Sequence, residues 1–311
     1  MNPLVPLWVL LANVAVLLAG WLIQRRLRNA GLADLLWACC ICASAIYYAV
    51  VSSGSPTSQL LVALMGGLWG FRLIMHLLRR ILVEREDARY RHLREARPDD
   101  EGLFFGLFVL RALSANLYSL PLYVAASNPL ADVDVWTLLA AATYLIGMSG
   151  EAYADLQLST FRNNPRHLGH TCRRGLWRYS RHPNYFFSAV HWSSYAFLAV
   201  GMPWPLWSLT LLGPLLTVLG WVVSIPAAEA QAIRTRGDDY RHYRAATPML
   251  LPWFPRGWPD DQPETSSWQT PLPPSRRTVR AATRVPPQAY VRRETPPPPS
   301  RTSGSEISPD G

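Results

Sequence analysis

Seven blocks of apolar residues, separated by polar connections, occupy most of the first 226 residues of the chain. Most of the blocks approach the roughly 20 residues that a helix needs to cross the hydrocarbon core of a bilayer. The pattern therefore predicts an all-α, polytopic membrane helix bundle with about seven transmembrane helices. The predicted segments are 3–23, 35–51, 59–78, 103–126, 135–158, 184–201 and 205–226.

Arginines alternate between the two sides of this predicted bundle. Every second connection is rich in arginine, and the connections between them contain none. Because positively charged connections stay in the cytoplasm, we expect a multi-pass protein of the cell inner (plasma) membrane with its N-terminus outside and its C-terminus cytoplasmic. The arginine-rich connections are 24–32, 79–102 and 156–183, followed by the chain after 226, and the arginine-free connections are 52–58, 127–134 and 202–204.

Composition agrees with a membrane location. Only 16% of the 311 residues are charged, against about 25% in an average soluble domain, and the net charge is +9. The chain has no lysine, which excludes Schiff-base chemistry, and its four cysteines have no metal or disulfide spacing. We expect no metal site and no nucleic-acid partner, and we leave the oligomeric state open.

The amino-acid composition of the chain changes near residue 256. Twelve of the residues from 256 to 311 are proline, mixed with serine, threonine and arginine. Such a segment cannot bury enough apolar surface to offset the entropy lost on ordering. We therefore expect a membrane domain at 1–255 and a disordered cytoplasmic tail at 256–311.

Ionisable residues interrupt the third and fifth apolar segments. Arg72 and His76 lie four residues apart, as do Glu151 and Asp155, so each pair shares one helix face. An arginine in the middle of a membrane costs about 2.5–3.5 kcal/mol, so we expect Arg72 to face a wet cavity or a partner, with the two carboxylates as candidates. Two interpretations stay open: a polar cavity that opens to the cytoplasm, and interhelical salt bridges.

The stretch GLWRYSRHPNY at 175–185 concentrates charge before the sixth segment. Pro183 is favoured in the first turn of a helix, and a helix N-terminus offers free N–H groups and partial positive charge to an anion. Arg178, Arg181 and His182 add to that charge. A phosphate-bearing ligand fits this arrangement, and so do topological charge and anionic lipid headgroups.

The segment DDYRHYRAATPMLLP at 238–252 alternates arginine with tyrosine. It either lies along the membrane interface as an amphipathic segment or folds under the bundle. In the second case, Tyr240 would stack on a nucleobase and Arg244 would reach phosphate. Glu229 is placed after the end of the seventh helix.

Three stretches of the chain together resemble the bacterial membrane family related to steroid 5-alpha-reductase. They are LWGFRLIMHLLRR, EAYADLQLSTFRNN continuing to GLWRYSRHPNYF, and DDYRHYRAATPMLLP. The resemblance covers about residues 30–255 and implies a seven-helix fold that holds NADPH in a cavity facing the cytoplasm. In those reductases a hydride passes to the β-carbon of a conjugated enone.

The resemblance also implies roles for particular residues. Asp155, Arg162 and Asn184 look like cofactor contacts, with Asn184 at the nicotinamide end, and Arg244 looks like a phosphate contact. His76 and Glu151 are candidate catalytic proton donors by their location alone. The predicted cofactor-binding set is Arg72, Asp155, Arg162, Arg178, Arg181, His182, Asn184, Tyr185, Tyr240 and Arg244.

The chain departs from the family pattern at the substrate end. Phe187 and Ser188 stand where the family usually has Gly-Glu, and Trp69 stands near the position of the carbonyl-polarising tyrosine. The sequence therefore favours the cofactor half of the site, and predicts a lipophilic substrate from the bilayer that is steroid-like, acyl or isoprenoid.

Two alternatives remain. Isoprenylcysteine and phospholipid methyltransferases of membranes share an RHP-x-Y stretch and a downstream acidic residue that bind S-adenosylmethionine, for which Glu229, Tyr240 and Tyr243 are suitable. A lipid-binding or scaffolding protein that keeps the fold without catalysis is the third interpretation.

Overall fold

The computed structural model describes residues 1–83, 86–97 and 100–256, and within these ranges the regular structure is entirely helical. The predicted tail lies outside the described residues, apart from Arg256. Short 3₁₀ turns lie at 165–167 and 206–211. The helices are α1 (Leu4–Leu27), α2 (Leu32–Val51), α3 (Pro56–Val83), α4 (Ala88–Ala96), α5 (Glu101–Ala126), α6 (Val135–Asn163), α7 (Leu176–Tyr179), α8 (Pro183–Leu198), α9 (Leu212–Arg236) and α10 (Asp238–Ala246).

Each of the seven predicted apolar segments overlaps a helix, namely α1, α2, α3, α5, α6, α8 and α9, although α8 ends at Leu198 and the segment 205–226 begins at the 3₁₀ turn. Within the described residues, five helical stretches are long and apolar enough to cross a membrane: α1, α2, α3, α5 and the stretch Leu206–Arg236 that includes α9. The α8 helix has 16 residues, which is shorter than the roughly 20 needed, and α6 carries acidic residues in its second half. The described chain is thus an all-helical, membrane-type bundle.

The helices pack in two groups. In the first, α2 lies against α3 and α5, and α1 lies against α5. In the second, α6 forms an extensive interface with α8, and α8 also packs on α9. Because α5 contacts both α8 and α9, it joins the groups, and their shared core includes Tyr48, Phe108, Trp192 and Tyr195.

The start of α8 confirms the prediction made from Pro183. The helix begins at that proline, with His182 as its N-cap residue. The hydroxyl of Ser180 accepts a hydrogen bond from the backbone N–H of His182 at 3.1 Å. Proline at this position loses no helical hydrogen bond, since the first N–H groups have no partner within the helix.

The α9 helix corrects the prediction for Glu229. The helix continues through Pro226 to Arg236, so Glu229 lies within it rather than after its end. An internal proline removes a backbone hydrogen bond, but Ile225, Glu229 and Ala232 are buried against the rest of the bundle. Tertiary packing therefore holds the turns on both sides of the proline.

Asp134 caps α6 and provides a test of local stability. Its carboxylate accepts from the backbone N–H groups of Trp136 and Thr137 at 3.0 and 2.9 Å, and the Thr137 hydroxyl accepts from the Asp134 N–H at 2.9 Å. The hydrogen bond from the Thr137 backbone is the main cause that lowers the pKa of Asp134 from its ordinary value of 3.8. The charged carboxylate therefore stabilises the helix start above that pH, and the stabilisation is lost as the pH falls through the lower folded value.

We expect Asp134→Ala to lower the thermal unfolding midpoint at pH 7 by a few degrees, and Asp134→Ser to retain most of the wild-type midpoint. The difference between wild type and Asp134→Ala should shrink when the pH falls below 3.8. Thermal scans in detergent at several pH values measure this. A difference that stays constant with pH would show that the carboxylate charge has no part in the cap.

Candidate functional site

An ion-paired cluster connects α3, α6 and α8. The Arg72 guanidinium donates to Glu151 Oε1 at 2.9 Å and to Asp155 Oδ2 at 2.6 Å, and Asn184 Nδ2 donates to Asp155 Oδ1 at 3.2 Å. We call these four residues the Arg72 cluster. The two carboxylates share one face of α6, as their spacing predicts, and the structure confirms that they are the partners of Arg72.

The Arg72 cluster keeps two acceptors without a hydrogen-bond donor among the described residues. They are Glu151 Oε2 and Asn184 Oδ1, and both atoms are buried. The orientation of the Asn184 amide follows from its neighbour, because only its NH₂ group can donate to the Asp155 carboxylate. A buried polar group without a partner costs about 1–3 kcal/mol, and each of these two oxygens has the capacity to accept a hydrogen bond.

A buried histidine, which sequence reasoning missed, lies beside the cluster. His191 on α8 is 0% exposed, and its imidazole is stacked on Trp69, with a centroid distance of 5.5 Å and an interplanar angle of 21°. It is close enough to Arg72 for electrostatic interaction. One sequence feature could have identified His191: it lies seven residues, or about two helical turns, beyond Asn184, and therefore on the same face of the helix.

A second cluster surrounds Glu229. Its carboxylate lies 2.9 Å from Arg181 Nε, 3.3 Å from His182 Nε2 and 3.5 Å from Arg244 Nε. Arg181 also donates to the backbone carbonyl of Arg244 at 2.5 Å. We call Arg181, His182, Glu229 and Arg244 the Glu229 cluster, and it ties the start of α8 to α9 and α10.

Burial changes the protonation behaviour at the Glu229 cluster. Burial lowers the pKa of His182, although the hydrogen bond to Glu229 opposes this change. The imidazole is therefore neutral at physiological pH, and Arg181 and Arg244 supply the positive charge opposite Glu229. Burial, with the Glu229 carboxylate nearby, raises the pKa of Tyr240 to about 12, so this phenol keeps its proton.

The α10 helix packs its tyrosine-bearing face against the rest of the described chain. Tyr240 and Tyr243 are buried. The Tyr243 hydroxyl lies 2.6 Å from the carbonyl oxygen of Trp177 and 3.2 Å from that of Ser180. The guanidinium of Arg236 lies over the Tyr240 ring at 4.8 Å. The tyrosines therefore pack within the protein.

Three predicted cofactor residues are exposed arginines, one each on α6, α7 and α10. Arg162 is exposed and interacts electrostatically with Arg80 and Cys172. Arg178 is exposed, and the Arg244 side chain is 53% exposed. Because α6 persists to Asn163, Arg162 lies about 16 Å beyond Glu151 along the helix axis, at about 1.5 Å per residue.

Of the remaining two predicted residues, His76 lies apart from both clusters and Tyr185 borders the Glu229 cluster. His76 is exposed on α3, where Phe71 and Met75 are also exposed. Tyr185 is half-buried and stacks on His182, with ring centroids 5.4 Å apart. The predicted set therefore forms two clusters on either side of the start of α8, together with exposed arginines and an exposed histidine.

A cavity of about 340 Å³ lies elsewhere in the bundle. It is bordered by the N-terminus, α5 and the 3₁₀ turn before α9, and none of its lining residues belongs to either cluster. The lining residues are Met1, Pro3, Pro6, Leu120, Tyr123, Val124, Leu206 and Leu209.

Comparisons with known proteins assign the chain to a family. A search of curated proteins and a search of solved structures find no match. A family model described as "Protein of unknown function (DUF1295)" matches residues 20–247. The matched range contains both clusters and more than half of the chain, so the chain belongs to the family described as protein of unknown function DUF1295.

Proposed function

We propose that the chain is a seven-span protein of the inner membrane, with its N-terminus outside and its C-terminus cytoplasmic. The arginine alternation supports this topology, and so does the surface of α6. Leu138, Leu145, Ile146 and Leu156 are exposed on that helix, as expected of a lipid-facing surface, while Arg72 forms ion pairs with its two carboxylates. The α8 helix pairs with α6 and would cross the membrane as its partner.

Within this topology, we propose that the Arg72 cluster and the exposed arginines bind NADPH for reduction of a carbon–carbon double bond. The observation that carries the proposal is the pair of buried acceptors, Glu151 Oε2 and Asn184 Oδ1. The carboxamide of a nicotinamide has two N–H donors, and these two oxygens are suitable acceptors for them. This fit agrees with the relation to steroid 5-alpha-reductase inferred from the sequence motifs.

Charge at the end of α6 supports the same ligand. Guanidinium groups bind phosphate by charge and by paired N–H donors, and exposed arginines lie near the end of α6 (Arg162), on α7 (Arg178) and on α10 (Arg244). The separation of about 16 Å along α6 between Glu151 and Arg162 is suitable for an extended dinucleotide. Its nicotinamide would lie at the Arg72 cluster and its phosphates at the arginines.

The proposed chemistry divides between cofactor and protein. NADPH would supply a hydride to the β-carbon of a conjugated carbonyl compound, and a proton from solvent or a protein group completes the saturated product. Arg72 holds Glu151 and Asp155 in place, and Asp155 orients the Asn184 amide. A lipophilic substrate would enter sideways from the bilayer.

One observation favours a second candidate function. The structure pairs Arg181 and His182, of the RHP-x-Y stretch, with Glu229, and membrane methyltransferases are expected to bind S-adenosylmethionine with these motif elements. Glu229 already pairs with the guanidinium groups of Arg181 and Arg244, however, which leaves little negative charge for the ammonium of the methyl donor. A lipid-binding protein without catalysis is the third candidate. Titration with NADPH and, separately, with S-adenosylmethionine distinguishes all three.

We expect the purified protein in detergent to bind NADPH, and Asn184→Ala and Arg162→Ala each to weaken binding tenfold or more. For Asn184, the loss of one hydrogen bond at a buried group costs about 1–3 kcal/mol, and for the exposed Arg162 the loss of a hydrogen bond to a charged phosphate costs about 1.5–3 kcal/mol. Both correspond to a factor of this order. The matched controls are Asn116→Ala, a buried-amide substitution on α5, and Arg26→Ala, an exposed arginine on α1. Isothermal titration with NADPH and, separately, with S-adenosylmethionine measures the affinities.

Binding of S-adenosylmethionine alone would replace the reductase by the methyltransferase. Binding of neither compound would favour the lipid-binding protein. Equal NADPH affinity in wild type and in both site variants would refute the assignment of Asn184 and Arg162.

A further inference from the structure

The imidazole of His191 has no hydrogen-bond partner on either ring nitrogen among the described residues, although the residue is 0% exposed. A neutral imidazole has one N–H donor and one acceptor nitrogen. Buried polar groups in folded proteins nearly always have partners, so each exception calls for an explanation. The position of His191 in the bundle points to a ligand as the explanation.

Aromatic side chains enclose the imidazole. Trp69 stacks on it, while Tyr144, Trp192 and Tyr195 surround it with ring centroids at 5.5, 5.0 and 5.9 Å. The Tyr144 hydroxyl donates to the carbonyl of Met65 at 2.8 Å, so it is directed away from the imidazole. The imidazole therefore lies among aromatic rings with both of its nitrogens unpartnered within the described chain, which suits the polar end of a lipophilic molecule.

The imidazole also lies next to the Arg72 cluster. Gly147 of α6 brings the two helices together, because a Cβ atom at this position would lie 2.4 Å from the backbone nitrogen of His191. Glu151 is one helical turn beyond Gly147 on the same helix, and Tyr144 interacts electrostatically with both Arg72 and Glu151. His191 and the unpartnered Glu151 oxygen thus belong to one buried polar region.

We propose that the N–H group of His191 donates a hydrogen bond to the carbonyl oxygen of a lipophilic ligand, which would be the substrate of the proposed reductase. This inference rests on the proposed function for the position of the substrate beside the nicotinamide. A hydrogen bond to the carbonyl oxygen withdraws electrons from a conjugated double bond and makes its β-carbon a better hydride acceptor. His191 would therefore polarise the substrate carbonyl in place of the family's tyrosine, near whose position this chain has Trp69.

The test uses 3-decen-2-one labelled with ¹³C at its carbonyl as the probe and measures the carbonyl stretching band by difference infrared spectroscopy. Wild-type protein should shift the band to lower frequency, as a hydrogen bond to the oxygen requires. His191→Phe keeps a ring in the aromatic enclosure and should abolish the shift. His191→Gln, which retains an N–H donor, should restore part of it.

Controls keep the outcomes distinct. His242→Phe changes an exposed histidine on α10 and should leave the shifted band as in wild type. Thermal scans establish that each variant is folded, and NADPH affinity is measured separately and should be unchanged in His191→Phe. Failure of the wild type to bind NADPH would overturn the proposed function. The carbonyl band, by contrast, tests only whether His191 donates a hydrogen bond to the ligand.

A shifted band that is the same in wild type and His191→Phe would overturn the inference, as would the absence of any shifted band in wild type. If His191→Phe does not fold, His191→Gln alone decides the outcome. A shifted carbonyl band in that variant supports the inference. A band at the frequency of the probe in detergent without protein contradicts it.

Discussion

Replacement of Arg72 by leucine is expected to destabilise the protein by about 3 kcal/mol, at the lower end of the range for a broken buried ion pair. The change leaves Glu151 and Asp155 inside the bundle without their cation. The lower end applies because the Asp155 side chain is 35% exposed and water offsets part of the loss. The unfolding midpoint in detergent measures the change, and NADPH affinity should be lost with it.

The matched control is Arg79→Leu, which removes an exposed arginine from the same helix and should change the midpoint little. The triple variant Arg72→Met, Glu151→Gln and Asp155→Asn should recover much of the stability lost in Arg72→Leu, because no uncompensated charge remains. If Arg72→Leu melted at the same temperature as Arg79→Leu, the Arg72 cluster would have no stabilising role.

Gly147→Ala is expected to have a comparable effect through packing alone. The new Cβ would lie 2.4 Å from the backbone nitrogen of His191 and 2.7 Å from its Cα. Backbone atoms cannot move aside as a flexible side chain does, so α6 and α8 must separate. Overpacking of this kind typically costs about 1–3 kcal/mol or more, which exceeds the gain of up to about 1 kcal/mol in helix propensity.

Gly220→Ala on α9 is the matched control, since no atom lies within 4 Å of the Cβ position there. It should leave the unfolding midpoint unchanged or raise it slightly. Thermal scans of both variants in one detergent compare them directly. Equal midpoints for Gly147→Ala and Gly220→Ala would contradict the close approach of α6 and α8.

The sequence alone determined the features that depend on neighbouring residues. The apolar blocks predicted the positions of the helices, because burial in lipid requires continuous runs of apolar side chains. Pro183 predicted the start of α8 through its fixed backbone and missing N–H. The i, i+4 spacing of Glu151 and Asp155 predicted that both carboxylates face the same way, and the cost of an unpaired arginine identified Arg72 as a candidate to meet them.

Only the tertiary structure decided which groups meet across the chain. Glu229 lies 47 residues from His182 along the sequence, and no local pattern indicates that it contacts Arg181, His182 and Arg244. Nor does a local pattern indicate that Asn184 donates a hydrogen bond to Asp155 instead. In the sequence, His191 is one polar residue in an aromatic segment. That its ring nitrogens have no hydrogen-bond partner among the described residues depends on how α3 and α6 surround it. Local periodicity determines which face of a helix is polar, but the partner of each polar group depends on helix packing, which brings together residues that are far apart in the chain.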